Sequence, residues 1–459
     1  MSNDAPINNP LLARLRNAVL DTTLHRVARN TGWLLGAEVV ATLVSAIQFP
    51  IVARLLGVEG YGMAVLIMGW VGLVTALLGM QTRKTIVKYF SLFLSDESDP
   101  KALAMVKLGI GLNLLLATLS LALLYTIAPR MSIWLLDNPD GTLLFRLVIL
   151  RDFFAATGGT TTSVLRVLDR FKWLSVFNAL SSIATFVLVS TVLIAGWHVN
   201  GYLAVMVLVS AGQAITLYLA CHRELRTRYR ANWWHADLYT LYEYRHEIKV
   251  MLLSLKLDGL RKIATDKADV VILGLFTDIH GVGLYKMAKQ LAGYLSRLSN
   301  PIYTALYPEI ARLYHEGGLD SLPRFIGQLT RWLVAGVGTS ALLITLLAGP
   351  VVPIVFGVEY TPALPLFYVM MLIHVWLVLI WAPGLLLTLD KARQLTTINL
   401  ASALILVSLL FVLAPTWGAT GATIALVANY WVWTALILWY LGRLPDLGLW
   451  SRRPPSELN

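Results

Sequence analysis

Runs of about 20 apolar residues, long enough as helix to cross about 30 Å of hydrocarbon, recur along this chain. They begin near residue 33 and end near residue 441. In lipid a backbone must satisfy its own hydrogen bonds, so such runs are helices. Of the 459 residues 57% are apolar and only 14% are charged, whereas soluble domains carry about 25% charged residues. The reading is an all-α polytopic membrane protein of about twelve transmembrane helices. Its spans 1 to 12 fall at approximately 33–53, 61–82, 102–127, 142–166, 173–196, 200–221, 249–276, 282–308, 331–356, 363–388, 393–414 and 419–441.

The connections between spans divide by charge. One set carries Arg14, Arg16, Arg26, Arg29, Arg83, Lys84, Lys88, Lys101, Arg166, Arg170, Lys172, the run from Arg223 to Lys249, and then Arg312, Arg324, Arg331, Lys391, Arg393, Arg443, Arg452 and Arg453. That is about 25 basic residues against about 2, Arg54 and Arg130, on the other set, and the positive-inside rule makes the basic side and both termini cytoplasmic. The net charge of +11 is thereby a matter of topology, and no nucleic-acid partner is expected. Residues 11–29 are interrupted by arginines and suit an amphipathic interfacial helix better than a cleavable signal. The single Cys221 excludes an intrachain disulfide and a cysteine-based metal cluster. The far-side loops are all shorter than about 15 residues, which leaves little room for an external active site.

Two echoes indicate a duplicated half. Glu59 to Ala64 (EGYGMA) matches His280 to Tyr285 (HGVGLY), aligning Gly62 with Gly283, and Trp197 to Gly201 (WHVNG) matches Trp417 to Gly421 (WGATG). Chance likeness of glycine-rich loops is the alternative, but two pairs at nearly one offset favour two tandem six-helix bundles running in the same direction. The expected domains are an amphipathic segment at 1–32, an N-terminal lobe at 33–221, a linker at 222–248, a C-terminal lobe at 249–441 and a tail at 442–459. The linker's Trp233, Trp234, Tyr239, Tyr242 and Tyr244 suit a helix at headgroup level.

Ionisable groups inside a span are costly and usually face a cavity or a partner. In span 8, Lys286, Gln290, Gly293 and Arg297 share a face, flanked by Lys289 and Asn300. Either these cations line a cavity or they pair with span 7. In span 7, Asp258, Lys262 and Asp269 share one face with Asp266 nearby, while Lys256 and Lys267 share the opposite one; pairing within the helix is the competing account. Span 4 carries Arg146, placed to snorkel, and the deeper Arg151 beside Asp152; Glu38 lies near the basic end of span 1 and His374 midway along span 10.

The stretch from Ala53 to Gly62 (ARLLGVEGYG) resembles the polysaccharide and O-antigen flippase family of the multidrug, oligosaccharidyl-lipid and polysaccharide (MOP) exporter superfamily. So do Asp269 to Leu291 (DVVILGLFTDIHGVGLYKMAKQL) and the turn at Tyr307-Pro308. The resemblance implies a fold like that of the multidrug and toxic-compound extrusion (MATE) transporters, a place in the bacterial inner membrane, and alternating access around a central cavity. Its cargo would be an undecaprenyl-diphosphate-linked oligosaccharide, and no catalytic residue transfers. A diphosphate needs fixed positive partners in a low-dielectric path, for which Lys286, Lys289, Arg297, Lys262 and Arg151 are candidates. Gln290, Asn300, Tyr294 and Trp376, with Tyr303 and Trp381, are candidates for the sugar, although packing is the commoner role of such aromatics. No cofactor or metal is expected. Coupling to H+ or Na+ would fall on Asp152, Asp258, Asp266, Asp269 or His374, without a basis for choosing. Membrane lipids, and a polymerase and chain-length regulator of the same pathway, are the further partners implied. A cation-coupled drug antiporter and a lipid-linked saccharide polymerase or ligase remain alternatives, with a lipid II flippase behind them. The first needs an acid as the dominant cavity charge, and the spans of the first half offer only Glu38 and Asp152; the second needs a larger far-side loop.

Overall fold

Two pairs of spans are joined by a single residue. A computed structural model carries spans 1 and 2 on Pro10–Leu78, broken at Gly57 (φ 68°, ψ 175°), and spans 11 and 12 on Ala392–Gly442, broken at Gly418 (φ 54°, ψ −131°). Both breaks sit in the positive-φ region that glycine enters without a Cβ penalty. The structure describes residues 10–96, 98–156, 158–229, 232–317 and 322–444, with side chains for all of these except 10–31, 34–35, 258, 261, 297–305, 307–308, 311, 315–317 and 375.

The remaining spans are Asp99–Leu136, Thr142–Ala155 with Gly158–Val167, Phe171–Ile194, His198–Tyr229, Arg245–Ile263 with Asp269–Phe276, Ile279–Gly317, Leu322–Val355, and Ala363–Met371 with Ala382–Thr388. Among the described residues there are no strands. Among the described residues seven helices are long and apolar enough to cross a membrane, and two of these contain the breaks at Gly57 and Gly418. Spans 4, 7 and 8 fall outside that set, and they are the ones that carry most of the ionisable residues singled out above.

Four local expectations need correction. Span 4 is not continuous: the helix stops at Ala155 and resumes at Gly158, where Gly158 and Gly159 offer little helix propensity. Span 10 contains a 3-10 stretch, Leu372–Leu379. Span 2 is followed by a further helix, Thr82–Ser95, that buries Ile86, Tyr89, Phe90 and Phe93. The ends of the linker belong to the flanking helices His198–Tyr229 and Arg245–Ile263, and its aromatic stretch is not one helix but two short 3-10 pieces, Trp233–His235 and Leu238–Tyr244. The side chains of Asn232 and Asp237 start them by accepting from the N–H groups of Trp234 and Tyr239, an arrangement that competes with regular helix. Trp233, 1% exposed, anchors the linker, and Lys107 Nζ donates to the Ala236 carbonyl at 2.8 Å.

Short connections gather at two ends. At the far end Gly60 lies against Val199, Gly57 against Glu359 and Gly418 against Thr277. At the basic end Arg170 pairs with Glu224 at 2.7 Å and Lys101 with Glu243 at 3.5 Å. Contacts between the first six spans and the last six run mainly through spans 1, 2, 7 and 8. Span 2 follows span 7 along its length: Leu66 faces Gly274, Gly69 faces Val270, and Lys256 Nζ donates to the carbonyls of Leu77 (2.5 Å) and Gly79 (3.0 Å).

The paired echoes occupy matching surroundings. A Cβ at Gly62 would stand 2.2 Å from the Ile279 carbonyl, and one at Gly283 would stand 2.4 Å from the Val58 carbonyl. The offset that carries Gly62 to Gly283 also carries Val58 to Ile279, so the two contacts are each other's images, as at a two-fold interface. Likewise a Cβ at Gly201 would meet Val192 at 2.4 Å and one at Gly421 the Leu413 carbonyl at 2.0 Å, each facing the end of the preceding span.

Candidate anion-binding site in the second half

Span 7 is interrupted by a π-helical turn, Ala264–Ala268, between its two α-helical pieces. Such a turn rotates the helix beyond it and leaves carbonyls free of their usual partners, a pattern frequent at functional sites. Directly after it stands Asp269, which is 0% exposed. Its Oδ2 accepts from Lys289 Nζ and from the Tyr285 hydroxyl, each at 2.5 Å. Lys289 also donates to the Thr265 carbonyl inside the π turn. Tyr285 and Lys289 lie four residues apart, one turn along span 8, and so reach the same carboxylate. Asp269 Oδ1 is buried without a hydrogen-bond partner among the described residues.

Lys289 is therefore neutralised by span 7, and its partner comes from another helix rather than from within its own. Lys286, three residues earlier, points elsewhere: it is half-buried and has no hydrogen bond or ion pair among the described residues, with Lys289, Asp269, Lys267 and Asp266 as charged neighbours. Gln290 is half-buried beside it. Arg297, Asn300, Tyr303 and Asp258 have side chains outside the described set.

Pairing within span 7 is not found among the described residues: Lys262 is exposed without an ion pair, and exposed Asp266 accepts only a long contact, 3.5 Å, from the Thr265 hydroxyl. Lys256 and Lys267 do share a face, and that face meets span 2. Lys256 ends its carbonyl ladder, and a Cβ at Gly72 would lie 2.8 Å from Lys267 Nζ. Gly72 makes room for a lysine, a dependence that nothing in the one-dimensional pattern marks.

In the first half Arg151 pairs with its neighbour Asp152 at 3.3 Å, and the Thr75 hydroxyl donates to the same carboxylate at 3.3 Å. This group is separate from the span 7–8 centre. At the offset of the repeat, Val65 and Met68 stand where Lys286 and Lys289 do, and Val65 is buried in apolar packing. Glu38 is exposed on span 1, and Arg146 lies over the Tyr125 ring at 4.6 Å.

His374 joins span 10 to span 8. Its Nδ1 lies 3.1 Å from the Met371 carbonyl and its Nε2 2.9 Å from the Ala292 carbonyl. A neutral imidazole has one N–H and can donate to one of these; only the protonated ring donates to both. Trp376 stacks on Tyr430 and meets Trp433 edge-on, and the indole N–H groups of Trp376 and Trp381 are buried without an acceptor among the described residues. Tyr294 instead bonds the Ser45 carbonyl of span 1 at 3.2 Å, so it serves the contact between halves.

The fold defines the class. The arrangement matches an inward-facing MATE family transporter of the MOP superfamily (TM-score 0.63, 14% identity, covering 89% of this chain and 96% of that one). It matches equally the lipid II flippase MurJ in an inward closed conformation (TM-score 0.63, 11% identity, 90% and 87%). The fold is that of the MATE and MurJ transporters, and the protein is a multi-pass membrane protein. A family model described as "Polysaccharide biosynthesis protein" matches residues 27–314, and the chain belongs to that family. Among curated relatives, the inner membrane protein YghQ of Escherichia coli K12 is 22% identical over 348 residues, 75% of this chain and 96% of the relative. A putative O-antigen transporter of the same organism is 26% identical over 291 residues, 60% of this chain and 64% of the relative.

Proposed function

We propose that this protein is a flippase that carries an undecaprenyl-diphosphate-linked oligosaccharide from the cytoplasmic to the periplasmic leaflet of the bacterial inner membrane. Its family, the O-antigen transporter relative and the MurJ-like fold all support a lipid-linked saccharide as cargo. The observation that carries the reading is Lys286, a half-buried lysine within span 8 that makes no ion pair or hydrogen bond among the described residues, although Asp269 and Asp266 are near, while its neighbour Lys289 is paired. An anionic cargo would complete it, by a charge-assisted bond worth about 1.5–3 kcal/mol. The basic connections are taken to face the cytoplasm, by the positive-inside rule.

Alternating access has a route in the contacts between halves. At the far end Tyr360 donates to the Ala53 carbonyl at 3.0 Å and Arg54 to the Ile354 carbonyl at 3.1 Å, close to the Gly62–Gly283 contact, which supports a state closed on that side. Arg151 in the first half is the second candidate for the diphosphate. Coupling to H+ or Na+ is assigned to Asp269, whose second oxygen lacks a partner among the described residues, and to His374 between its two carbonyls.

The test replaces Lys286 by Gln and by Arg in a strain lacking the wild-type gene, at matched protein level in the membrane. Lys286→Gln is expected to lower surface polysaccharide about tenfold or more, the loss of one charged hydrogen bond, with lipid-linked intermediate held on the cytoplasmic leaflet; Lys286→Arg retains most export. Full export by Lys286→Gln would remove the anion-binding role. Intermediate accumulating on the periplasmic leaflet in the deletion strain would turn the reading toward a polymerase or ligase. Transport measured with the pH gradient collapsed and the potential kept separates proton coupling from the assistance of about 2.3 kcal/mol per charge per 100 mV that the potential gives an outgoing anion.

A further inference from the structure

At the basic end, away from the span 7–8 centre, a groove of about 440 Å³ opens between span 3, the start of span 7 and the linker. That volume lies within the range of pockets that hold small ligands, about 300–1,000 Å³. Its walls are almost wholly apolar, with Leu108 and Leu112 from span 3 facing Leu252 from span 7, and Met80 from the end of span 2. Arg245 and Lys249, both exposed, stand four residues apart on one face of Arg245–Ile263 and are among the residues that line the groove.

Arg245 is held in place, and neither cation is compensated by an acid among the described residues. The Arg245 guanidinium lies 3.6 Å from the centre of the Tyr242 ring and donates to the Tyr242 carbonyl at 3.1 Å. Neither Arg245 nor Lys249 has an acidic partner among the described residues. The neighbouring acids are engaged on other faces, Glu243 with Lys101 and Glu247 with the Tyr89 hydroxyl at 3.4 Å. Tyr239, 73% exposed, stacks beside Tyr242 at the rim, with an amphipathic ring suited to headgroup depth. A molecule that satisfies all of this has an anionic head and a long apolar chain.

We propose that this groove is a site for an anionic membrane phospholipid, its phosphate held by Arg245 and Lys249 and one acyl chain lying between spans 3 and 7. Met80, Arg245 and Lys249 flank the path by which span 2 and the linker meet span 7, so the lipid would bridge the two halves at their basic end. The site is distinct from the cargo cations in span 8, and it does not depend on what the protein transports.

The experiment is native mass spectrometry of the full-length protein released from detergent with equimolar phosphatidylglycerol and phosphatidylethanolamine. The wild type is expected to retain phosphatidylglycerol in preference. Arg245→Ala and Lys249→Ala each lower that preference about fivefold, the share expected of one basic residue near an anionic surface. Leu112→Trp, which fills the groove and keeps both charges, reduces retention of phosphatidylglycerol, while Arg226→Ala with Arg228→Ala, exposed cations elsewhere on the basic end, leaves it unchanged. Equal retention of the two lipids by the wild type, or an equal loss in the Arg226/Arg228 control, would overturn the proposal. Displacement of phosphatidylglycerol by substoichiometric undecaprenyl phosphate would also overturn it, by giving the groove to the cargo lipid instead.

Discussion

Single residues decide how closely the helices of this protein approach. Gly62 and Gly283 meet backbone to backbone, and neither position has room for a methyl group. Gly62→Ala is expected to cost about 1–3 kcal/mol through overpacking, read as a lower melting temperature of the purified protein. Gly293, which the repeat aligns with Gly72, has no atom within 4 Å of where a methyl group would stand. Gly293→Ala is therefore expected to stabilise by about 0.5–1 kcal/mol through helix propensity alone, and a melting temperature that falls in this variant too would show that glycine at 293 matters for a reason other than its space. The same scale separates Lys286 from Lys289. Three residues apart on one helix, they have different fates because only Lys289 reaches Asp269.

At the scale of elements, spans 7 and 8 are pinned together by one carboxylate. Asp269→Asn would leave the Lys289 ammonium without its charge partner in a largely enclosed site, at an expected cost of about 3–5 kcal/mol. Replacing both, as Asp269→Leu with Lys289→Met, removes the desolvated pair and is expected to recover most of that loss. A double variant no more stable than Asp269→Asn would mean that the pair does not act as a unit. Within the first half, the helix Thr82–Ser95 and spans 3 and 4 are joined by a neutral counterpart: Asn113 Nδ2 donates to the hydroxyls of Thr82 at 3.0 Å and Thr160 at 2.9 Å. The linker turns are tied at Tyr89, whose phenol is pushed up from its ordinary range by burial and by the Glu247 carboxylate. A phenol whose folded value is raised holds its contribution below about pH 10, the unfolded value, and loses it as the pH climbs beyond. Tyr89→Phe is expected to flatten the alkaline end of the stability profile, and an unchanged profile would exclude Tyr89 as its source.

For the whole molecule the far-end contacts make a mechanical prediction. If transport requires the halves to part there, joining them should stop it. Cysteines introduced at Arg54 and Val355, next to the Ile354 carbonyl that Arg54 holds, can be linked by a cleavable bifunctional maleimide; the native Cys221 is buried and is replaced by Ser as a precaution. Cross-linking is expected to arrest export and cleavage to restore it. Export that continues with the link intact would mean that this end does not open.

The positions of the spans were readable from the sequence because the bilayer imposes one length on every crossing, and apolar content reports that length residue by residue. The Gly62–Gly283 and Trp197–Trp417 echoes were readable because close approach and tight reversal demand glycine whatever surrounds it. The charges of span 8 were visible for the same local reason, since each costs free energy wherever it lies in a span. Their partners were not. Whether Lys286 or Lys289 meets Asp269 depends on the rotation of span 8 about its axis and on the π turn in span 7, both set by packing between helices. The space that Gly72 leaves for Lys267, the two carbonyls around His374 and the groove beneath Arg245 arise in the same way. Hydropathy along one chain is a property of neighbours in sequence; a counter-ion, or its absence, is a property of neighbours in space.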